Sequence, residues 1–261
     1  MAVNPTFAWP RGTRAAVSLS FDDGRPSQLD LGLAVLARSG TKATFYVTPG
    51  HVEERLADWR QALATGHEIG NHSLRHTCTG NFIWGVRNVL ENYTVEQMEE
   101  ELVEANRGLR ERLGVTPTTF AYPCGQTFVG RGVDRRSYVP TVARLFQAGR
   151  GFREEFLNRP DFCDLAALGG TEMDGVPFER LVATVEQAAA NGQWVIFVGH
   201  DVANLPRQCV TPEVLERFCA WCHDPTHGVW IDTVAAVAAQ VTAARGRPPL
   251  EGEAPQAPTR R

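Results

Sequence analysis

Residues 15–24 read AAVSLSFDDG, and this stretch decides how the rest of the sequence is interpreted. It begins as an apolar run typical of a buried β-strand and ends in two adjacent carboxylates, Asp22 and Asp23. Neighbouring carboxylates repel each other, and burying both charges without partners would cost several kcal/mol. A metal ion that bound one carboxylate and left the other free would resolve the conflict. The stretch therefore predicts further metal ligands elsewhere in the chain.

The composition indicates a globular protein with one sizeable core. The chain has 261 residues, of which 43% are hydrophobic, and a formal net charge of −4. A charge so close to neutral gives no reason to expect nucleic acid as a partner. Residues 1–14 contain neither the apolar core of a signal peptide nor a membrane span, so we expect a cytoplasmic protein with no membrane partner. The oligomeric state does not follow from the sequence.

Strand-like and helix-like patterns alternate along the chain, which predicts an α/β fold of parallel strands joined by helical crossovers. Polar clusters follow several of the strands, as in α/β barrels, where the carboxyl ends of the strands carry the chemistry. We expect one domain over residues 1–244 and a disordered, proline-rich tail over residues 245–261. The predicted strands cover residues 15–20, 43–47, 118–122, 193–198 and 229–231, and the main predicted helices cover residues 28–39, 53–65, 94–113, 178–191 and 233–244.

Two histidines supply the expected further ligands. His72 and His76 lie four residues apart, and either a helical turn or a tight loop would place both imidazoles near one ion. Together with Asp23 they make a set of two histidines and one carboxylate, which leaves coordination positions open for water and substrate. The sequence therefore predicts a catalytic metal centre rather than a closed structural one.

Two further side chains have the chemistry to move protons at such a centre. A metal lowers the pKa of a water ligand toward neutrality, and Asp22, pointing to the other side from Asp23, would take that proton. His200 follows the apolar run of residues 193–198 and would protonate the leaving group when the tetrahedral intermediate collapses.

Four short motifs follow one another along the chain: SFDDG at residues 20–24, HEIGNHSLRH at 67–76, FAYPCG at 120–125 and FVGHD at 197–201. In this order they resemble the motifs of the polysaccharide deacetylase superfamily, carbohydrate esterase family 4, which includes chitooligosaccharide deacetylases. The resemblance implies a distorted, TIM-like (β/α) barrel with seven or eight strands. It also implies metal-dependent removal of acetyl groups from an N-acetylated or O-acetylated sugar or oligosaccharide, with Asp22 as general base and His200 as general acid.

The same resemblance assigns the remaining parts of the site. Asp23, His72 and His76 would bind the metal, with Zn²⁺ as the default ion and Co²⁺, Ni²⁺ or Fe²⁺ as alternatives. The backbone N–H of Cys124 would help to form an oxyanion hole. Candidate substrate contacts are Tyr122, Pro123, Trp84 and Arg131; for Trp84, burial under its loop is as good an explanation as sugar stacking.

The sequence departs from the family pattern in its third and fourth motifs. The third motif usually has an arginine that holds the base carboxylate, and here that position is Ala121. We expect a nearby arginine either to hold Asp22 or to bind an anionic substrate group, the alternative being a solvated basic loop. In the fourth motif, Asp174 is the candidate partner of His200, without the usual tryptophan beside it. The candidate replacements for the missing arginine are Arg131, Arg135 and Arg136, and less favourably Arg75.

The six cysteines are expected to be free thiols, because the chain is large and lacks a secretion signal. Cys219 and Cys222 lie on a predicted helix, where core positions are favoured over a redox or haem-attachment pair. Cys78 and Cys124 flank the predicted site, and packing of small residues is favoured over a role as soft metal ligands.

Two other functions remain open at this point. One is hydrolysis of a non-sugar amide or of a cyclic imide or ureide, to which the wider superfamily is similar and which the altered motifs favour. The other is metal or sugar binding without catalysis. The presence of Asp22 and His200 argues against a pure binder, since Asp23, His72 and His76 would suffice to bind the ion.

Overall fold

Strand β1 (Ala15–Asp22) lies at the centre of an eight-stranded parallel sheet in the computed structural model, which describes residues 7–82 and 88–246. Every residue of β1 is buried. One edge of β1 pairs with Trp194–Gly199. The other pairs with Val229–Ile231 near the start of the strand and with Thr44–Val47 near its end. The apolar stretch that opens the sequence motif is therefore the strand around which the sheet is built.

The described strands, in chain order, are β1, then β2 (Thr44–Val47), β3 (Glu68–Asn71), β4 (Thr119–Ala121), β5 (Phe128–Val129), β6 (Arg136–Ser137), β7 (Ala148–Arg150), β8 (Thr171–Glu172), β9 (Trp194–Gly199), β10 (Asp201–Val202), β11 (Cys209–Val210) and β12 (Val229–Ile231). The order of strands across the sheet is β7-β4-β3-β2-β1-β9-β8, with β12 also paired to β1. The α-helices are α1 (Leu33–Ser39), α2 (Pro49–Glu54), α3 (Leu56–Ala64), α4 (Val95–Leu113), α5 (Val139–Leu145), α6 (Phe178–Asn191), α7 (Pro212–His223) and α8 (Val234–Ala244).

The two edges of the sheet curl toward each other and meet. The N–H of Leu168, just before β8, donates to the carbonyl of Gly149 in β7 at 2.8 Å, and the N–H of Gly151 donates to the Leu168 carbonyl at 2.8 Å. These bonds close the curved sheet into the distorted (β/α) barrel, so the predicted α/β barrel and single domain are confirmed.

Alternation of side chains along β1 separates the packing face from the functional face. Val17, Leu19 and Phe21 pack into the main hydrophobic core with the helices. Ser18 and Ser20 point the other way and make hydrogen bonds with β9: Trp194 Nε1 donates to Ser18 Oγ at 3.1 Å and Ser20 Oγ donates to the Phe197 carbonyl at 2.8 Å. Asp22 continues this second row and lies at the carboxyl end of the strand.

Most predicted helices are confirmed because local capping chemistry fixes their ends. Helix α4 begins at a capping box in which Thr94 Oγ1 accepts from Gln97 N at 3.2 Å and the Gln97 side chain accepts from Thr94 N at 2.9 Å. The single helix predicted over residues 53–65 is wrong. It is divided into α2 and α3 at Arg55, whose φ of −135° and ψ of 45° are not helical.

Two of the expected features fall partly or wholly outside the residues that the structure describes. Trp84 and residues 247–261 of the expected tail lie outside the described residues. Cys219 and Cys222 are buried among the core residues of α7, consistent with the core interpretation. Among the helices that the structure describes, none is long and apolar enough to cross a membrane.

Candidate metal centre and active site

The two adjacent carboxylates of the opening motif point in different directions because the backbone turns between them. Asp22 is the last residue of β1, whereas Asp23 has a φ of 71°, in the left-handed region that non-glycine residues rarely occupy. This turn keeps Asp22 in the buried row of the barrel interior and aims Asp23 at the loop that follows β3. Strained backbone of this kind clusters at functional sites.

That loop holds His72 and His76 by hydrogen bonds of its own. Ser73 N donates to Asn71 Oδ1 at 2.7 Å, and His76 N donates to Ser73 Oγ at 2.9 Å. Ser73 and His76 have φ values of 63° and 52°, so the histidines lie on a tight loop and not on a helical turn. Of the two arrangements that the spacing allowed, the structure has the loop.

Asp23, His72 and His76 converge on one point. Asp23 Oδ1 lies 3.5 Å from His72 Nε2 and 3.3 Å from His76 Nε2. The other ring nitrogen of His72, Nδ1, lies 2.9 Å from the Ala121 carbonyl, to which it must donate, so Nε2 is the nitrogen that faces Asp23 and the one that can bind an ion when the ring is neutral. One ligand atom from each of the three residues lies within 4.8 Å of the others. Two imidazoles and one carboxylate are a donor set that fits Zn²⁺ and its first-row neighbours.

The protonation states of this cluster suit a cation. Burial acts to raise the pKa of Asp23, but the hydrogen bond from His72 and the charges of His72, His76 and His200 outweigh it and lower that pKa. Burial, assisted by His72, lowers the pKa of His76 to about 4. The cluster therefore offers an ionised carboxylate and a neutral imidazole near pH 7, the forms that bind metal.

Arg25 holds the second oxygen of Asp23. Its Nη2 donates to Asp23 Oδ2 at 3.0 Å, while its Nη1 donates to Asp201 Oδ2 at 2.7 Å. Asp201 is further held by Ser27 Oγ at 2.6 Å. Because Oδ2 of Asp23 is occupied in this way, only Oδ1 is presented to the two histidines.

Asp22 is paired with an arginine that sequence reasoning did not find. The guanidinium of Arg150 donates to Asp22 Oδ1, and both side chains are buried. In the parallel pairing of β4 with β7, Arg150 is the register partner of Ala121, the position at which the family pattern has its arginine. The missing cation is therefore supplied from the neighbouring strand, at the same level of the barrel.

The arginines predicted to replace it have other partners, so the prediction that one of them holds Asp22 is wrong; the alternative, that one of them binds an anionic substrate group, stays a prediction. Arg131 donates to Asn92 Oδ1, and the guanidinium of Arg135 lies 4.2 Å above the ring of Phe128. Arg136 donates to backbone carbonyls of its own loop at 2.7 and 2.9 Å. Arg131 and Arg135 lie on the loop that joins β5 to β6, and Arg136 is the first residue of β6.

Arg75 instead serves the histidine loop. Its guanidinium pairs with the buried carboxylate of Glu101 on α4, and its backbone N–H donates to Glu101 Oε1 at 2.7 Å. Thr77 Oγ1 lies 3.5 Å from the same oxygen. Glu101 therefore ties down the loop on both sides of His76. The available sign in the sequence was the position of Glu101, which falls on the apolar face of an amphipathic helix, beside Met98 and Leu102.

His200 is oriented by two bonds to Asp174. The His200 backbone N–H donates to Asp174 Oδ1 at 3.1 Å, and His200 Nδ1 donates to Asp174 Oδ2 at 2.6 Å. Burial acts to lower the pKa of His200, but the hydrogen bond to Asp174 and the charges of Asp22, Asp174 and Asp23 outweigh it and raise that pKa. The structure thus brings together the two residues that the fourth motif suggested, in a form suited to donating a proton from Nε2.

Gln28 joins the strand ends that carry Asp22 and His200. It is fully buried, and its Nε2 donates to the Asp22 carbonyl at 2.6 Å and to the His200 carbonyl at 2.8 Å. Sequence reasoning placed this residue at the start of a helix and gave it no role at the site. Its two bonds fix the separation of the base strand and the acid strand.

The third-motif loop differs from expectation in its side chains. Tyr122 is buried, and its hydroxyl donates to the Ala166 carbonyl at 2.6 Å; Pro123 is also buried. Neither side chain is therefore available for the substrate contact that the sequence predicts. Cys124 has a φ of 54°, another strained position at this site. Its N–H remains the predicted oxyanion donor.

Cys124 is bonded to Cys78, so the expectation of six free thiols is wrong for this pair. The disulfide joins the loop after His76 to the loop after β4, and the other four cysteines are free. Tertiary proximity of two loops, which spacing in the sequence does not encode, brings the two sulfurs together. Beyond the disulfide, a pocket of about 570 Å³ opens, lined among others by Thr79, Gly125 and Arg131.

These residues define a class of site at the carboxyl ends of the barrel strands. Two histidines and one carboxylate converge there, beside a second carboxylate held by an arginine and a third histidine held by an aspartate. Comparison with known families then names the class. Residues 10–132, which include the first three of the four motifs, match the family model described as polysaccharide deacetylase, and the resemblance to this family is confirmed.

Individual relatives agree with this assignment. A chitooligosaccharide deacetylase of Sinorhizobium fredii is 36% identical over 101 residues, which are 38% of this chain and 42% of that protein. The matched segment spans less than half the length of the curated relatives.

Solved structures agree on the fold. A family 4 acetyl xylan esterase from Clostridium thermocellum, in complex with a cobalt ion, has a TM-score of 0.55 at 23% identity, covering 89% of this chain and 93% of its own. PuuE allantoinase has a TM-score of 0.66 at 15% identity, covering 92% and 94%. At these identities the structures establish the fold alone.

Proposed function

We propose that this protein is a metal-dependent deacetylase that hydrolyses the acetyl group of an N-acetylated or O-acetylated sugar or oligosaccharide. The observation that carries the proposal is the position of Asp22. Its carboxylate is paired with Arg150, while the neighbouring Asp23 faces His72 and His76 at 3.5 and 3.3 Å. One carboxylate is thereby reserved for the ion and the other is kept free of it.

Asp23 Oδ1, His72 Nε2 and His76 Nε2 would hold the ion, and we propose Zn²⁺ as the native one. A Lewis-acidic ion bound there would polarise the acetyl carbonyl and lower the pKa of water. The cobalt complex of the acetyl xylan esterase supports metal binding at this position, since a protein of the same fold holds a cobalt ion.

Asp22 is the proposed general base. The bond from Arg150 fixes one carboxylate oxygen, Oδ1, and leaves Oδ2 to accept a proton from the attacking water. Burial of the pair excludes bulk water, which strengthens each electrostatic interaction at the site. Arg150 is thus a positioning residue, acting on the reaction through Asp22.

His200 is the proposed general acid. Asp174 holds Nδ1 at 2.6 Å, so that the proton on Nε2 is the one directed toward the site. The N–H of Cys124 is the proposed donor to the oxygen on which negative charge develops. Arg131, on the wall of the 570 Å³ pocket, is the proposed contact for a polar group of the substrate beyond the acetyl carbon.

The two rival functions are less well supported. The absence of an arginine at Ala121 favoured an amide or imide hydrolase, but Arg150 provides the same cation from the partner strand. A non-catalytic binder has no need for the Asp22–Arg150 and His200–Asp174 pairs, which involve three buried charged groups and cost desolvation energy.

The proposal is tested by measuring acetate released from N-acetylglucosamine, chitooligomers, peptidoglycan fragments and acetylated xylan. Protein treated with a chelator should release none, and reloading with Zn²⁺ or Co²⁺ should restore release. Asp22→Asn should retain the metal and lose turnover by about 10²-fold or more. Asp161→Asn, at an exposed pair with Arg159, is the matched control and should behave as wild type.

Two results would count against the proposal. If metal binds and no acetylated sugar releases acetate, the amide or imide hydrolase becomes the better assignment, and cyclic imides and ureides are the next substrates. If Asp22→Asn leaves both metal binding and ligand affinity unchanged in a protein with no turnover on any substrate, the protein is a binder.

A further inference from the structure

We propose that Cys78, Cys124 and His76 form a second metal site when the Cys78–Cys124 disulfide is reduced, and that this site takes a thiophilic divalent cation such as Zn²⁺. The site is distinct in two of its three ligands from the cluster around Asp23. It goes beyond the proposed deacetylase function, because it requires neither an acetylated substrate nor turnover.

The orientation of His76 carries the inference. Its Nε2 lies 3.3 Å from Asp23 Oδ1, whereas its Nδ1 lies 3.6 Å from Cys78 Sγ on the opposite side of the ring. One imidazole therefore presents one nitrogen to the carboxylate cluster and the other to sulfur. One ligand atom from each of His76, Cys78 and Cys124 lies within 4.8 Å of the others. Two sulfurs and one imidazole nitrogen are ligands that Zn²⁺ prefers, with a fourth position left for water.

The loops hold the two sulfurs together independently of the bond between them. Cys78 is buried, and its carbonyl accepts from Leu90 N at 3.0 Å. Cys124 lies in the turn that closes when Gly125 N donates to the Tyr122 carbonyl at 2.8 Å. Because these backbone bonds do not involve sulfur, reduction leaves both side chains facing His76.

A dithiol can reduce the Cys78–Cys124 disulfide. The dithiol is oxidised to its cyclic disulfide, the protein S–S bond breaks, and each protein sulfur takes up one proton. Each thiol then releases that proton to solvent as its sulfur bonds to the cation. When the Asp23 cluster also holds an ion, the His76 ring releases its remaining N–H proton to solvent, so that each ring nitrogen bonds one cation. Compartments with a thiol-rich redox buffer keep cysteines reduced, so the metal-binding form is the one expected there.

The test is a Co²⁺ titration of the full chain, followed by absorption spectroscopy. One sample is untreated, and the other is reduced with a trialkylphosphine, which becomes the phosphine oxide with water as the oxygen source and contributes no thiol. We expect the untreated protein to bind one equivalent of Co²⁺ without a thiolate-to-cobalt charge-transfer band. The reduced protein should bind a second equivalent and develop that band.

Cys78→Ser and Cys124→Ser, each reduced, should bind one equivalent and lack the band, the retained equivalent showing that each variant is folded. Cys163→Ser removes a half-buried thiol elsewhere and should keep the band. The inference is overturned if reduction adds no Co²⁺, or if the band survives in both variants. The deacetylase proposal fails separately, when chelation leaves acetate release unchanged, since the thiolate band does not depend on activity.

Discussion

Ala121 and Arg150 face each other across the parallel pairing of β4 and β7, and the arginine side chain reaches Asp22 on β1. The guanidinium also lies 4.7 Å above the ring of Tyr46, and its Nη1 donates to the Gly151 carbonyl at 3.1 Å. The positive charge that pairs with Asp22 thus comes from β7 and not from β4, at a position that is in register with Ala121.

Removing this arginine should damage both activity and stability. In Arg150→Ala, Asp22 would be left as an unpaired buried carboxylate, so we expect unfolding free energy to fall by about 3–5 kcal/mol. Turnover should fall by about 10²-fold, because the base loses its fixed orientation. Urea unfolding and acetate release measure the two effects. Arg153→Ala, which removes an exposed arginine paired with Glu172, should change neither by much.

A swap variant separates charge placement from mere packing. In the double variant Ala121→Arg with Arg150→Ala, the guanidinium returns to the position of the family pattern, so turnover should exceed that of Arg150→Ala alone. Equal turnover in the two variants would contradict the view that either strand can supply the cation.

Asp174 should set the alkaline limit of activity. Its carboxylate helps to raise the pKa of His200, and His200 must be protonated to act as an acid. Activity is therefore lost as pH rises through the pKa of His200. In Asp174→Asn that pKa falls, and the alkaline limb of the kcat profile should move to lower pH. Asp161→Asn serves as the control, and an unmoved limb in Asp174→Asn would argue that another group is the acid.

Glu101 should affect metal affinity without touching the metal. In Glu101→Ala the Arg75 N–H and guanidinium lose their buried partner, and the loop that carries His76 is released. We expect metal affinity to weaken by about 10–100-fold, as measured by competition with a chromophoric chelator. Glu104→Ala, which removes a carboxylate on the exposed side of α4 that pairs with Arg107, should leave affinity unchanged.

Gly70 should be intolerant of any side chain. A Cβ at this position in β3 would lie 2.3 Å from Tyr46 Cε1, and the Tyr46 ring is fully buried beneath Arg150. Gly70→Ala should therefore cost about 1–3 kcal/mol of unfolding free energy. Gly50→Ala, where the nearest atom is Thr48 Oγ1 at 3.9 Å, should instead stabilise α2 by about 0.5–1 kcal/mol. Thermal unfolding of the pair checks both signs.

The parts of the fold that sequence predicts are those encoded locally. The apolar runs of β1 and β9 and the caps Thr94 and Thr211 mark strands and helices within a few residues. The convergence of Asp23, His72 and His76 is also predictable, since all three lie in short motifs at strand ends. Their roles in binding and catalysis remain predictions.

The parts that escaped prediction depend on which strands become neighbours. Strand β7 has three residues, too few for a hydrophobic period, so Arg150 carried no strand pattern of its own. Its function follows from register with Ala121, which only the folded sheet determines. The disulfide likewise joins loops that are 46 residues apart. Gln28 was assigned to a helix, and its bonds to two strand ends are equally nonlocal.

The central position of β1 also has a consequence for biosynthesis. The bond from Ser20 to Phe197 spans 177 residues, so β1 leaves the ribosome long before β9, the partner along one whole edge, has been translated. A strand with a continuous apolar face and an unpaired edge is a template for pairing with other chains. Such distant contacts also slow folding. The strand that delivers the proposed base is therefore exposed to aggregation during synthesis, and slower translation or lower growth temperature should raise the yield of folded protein.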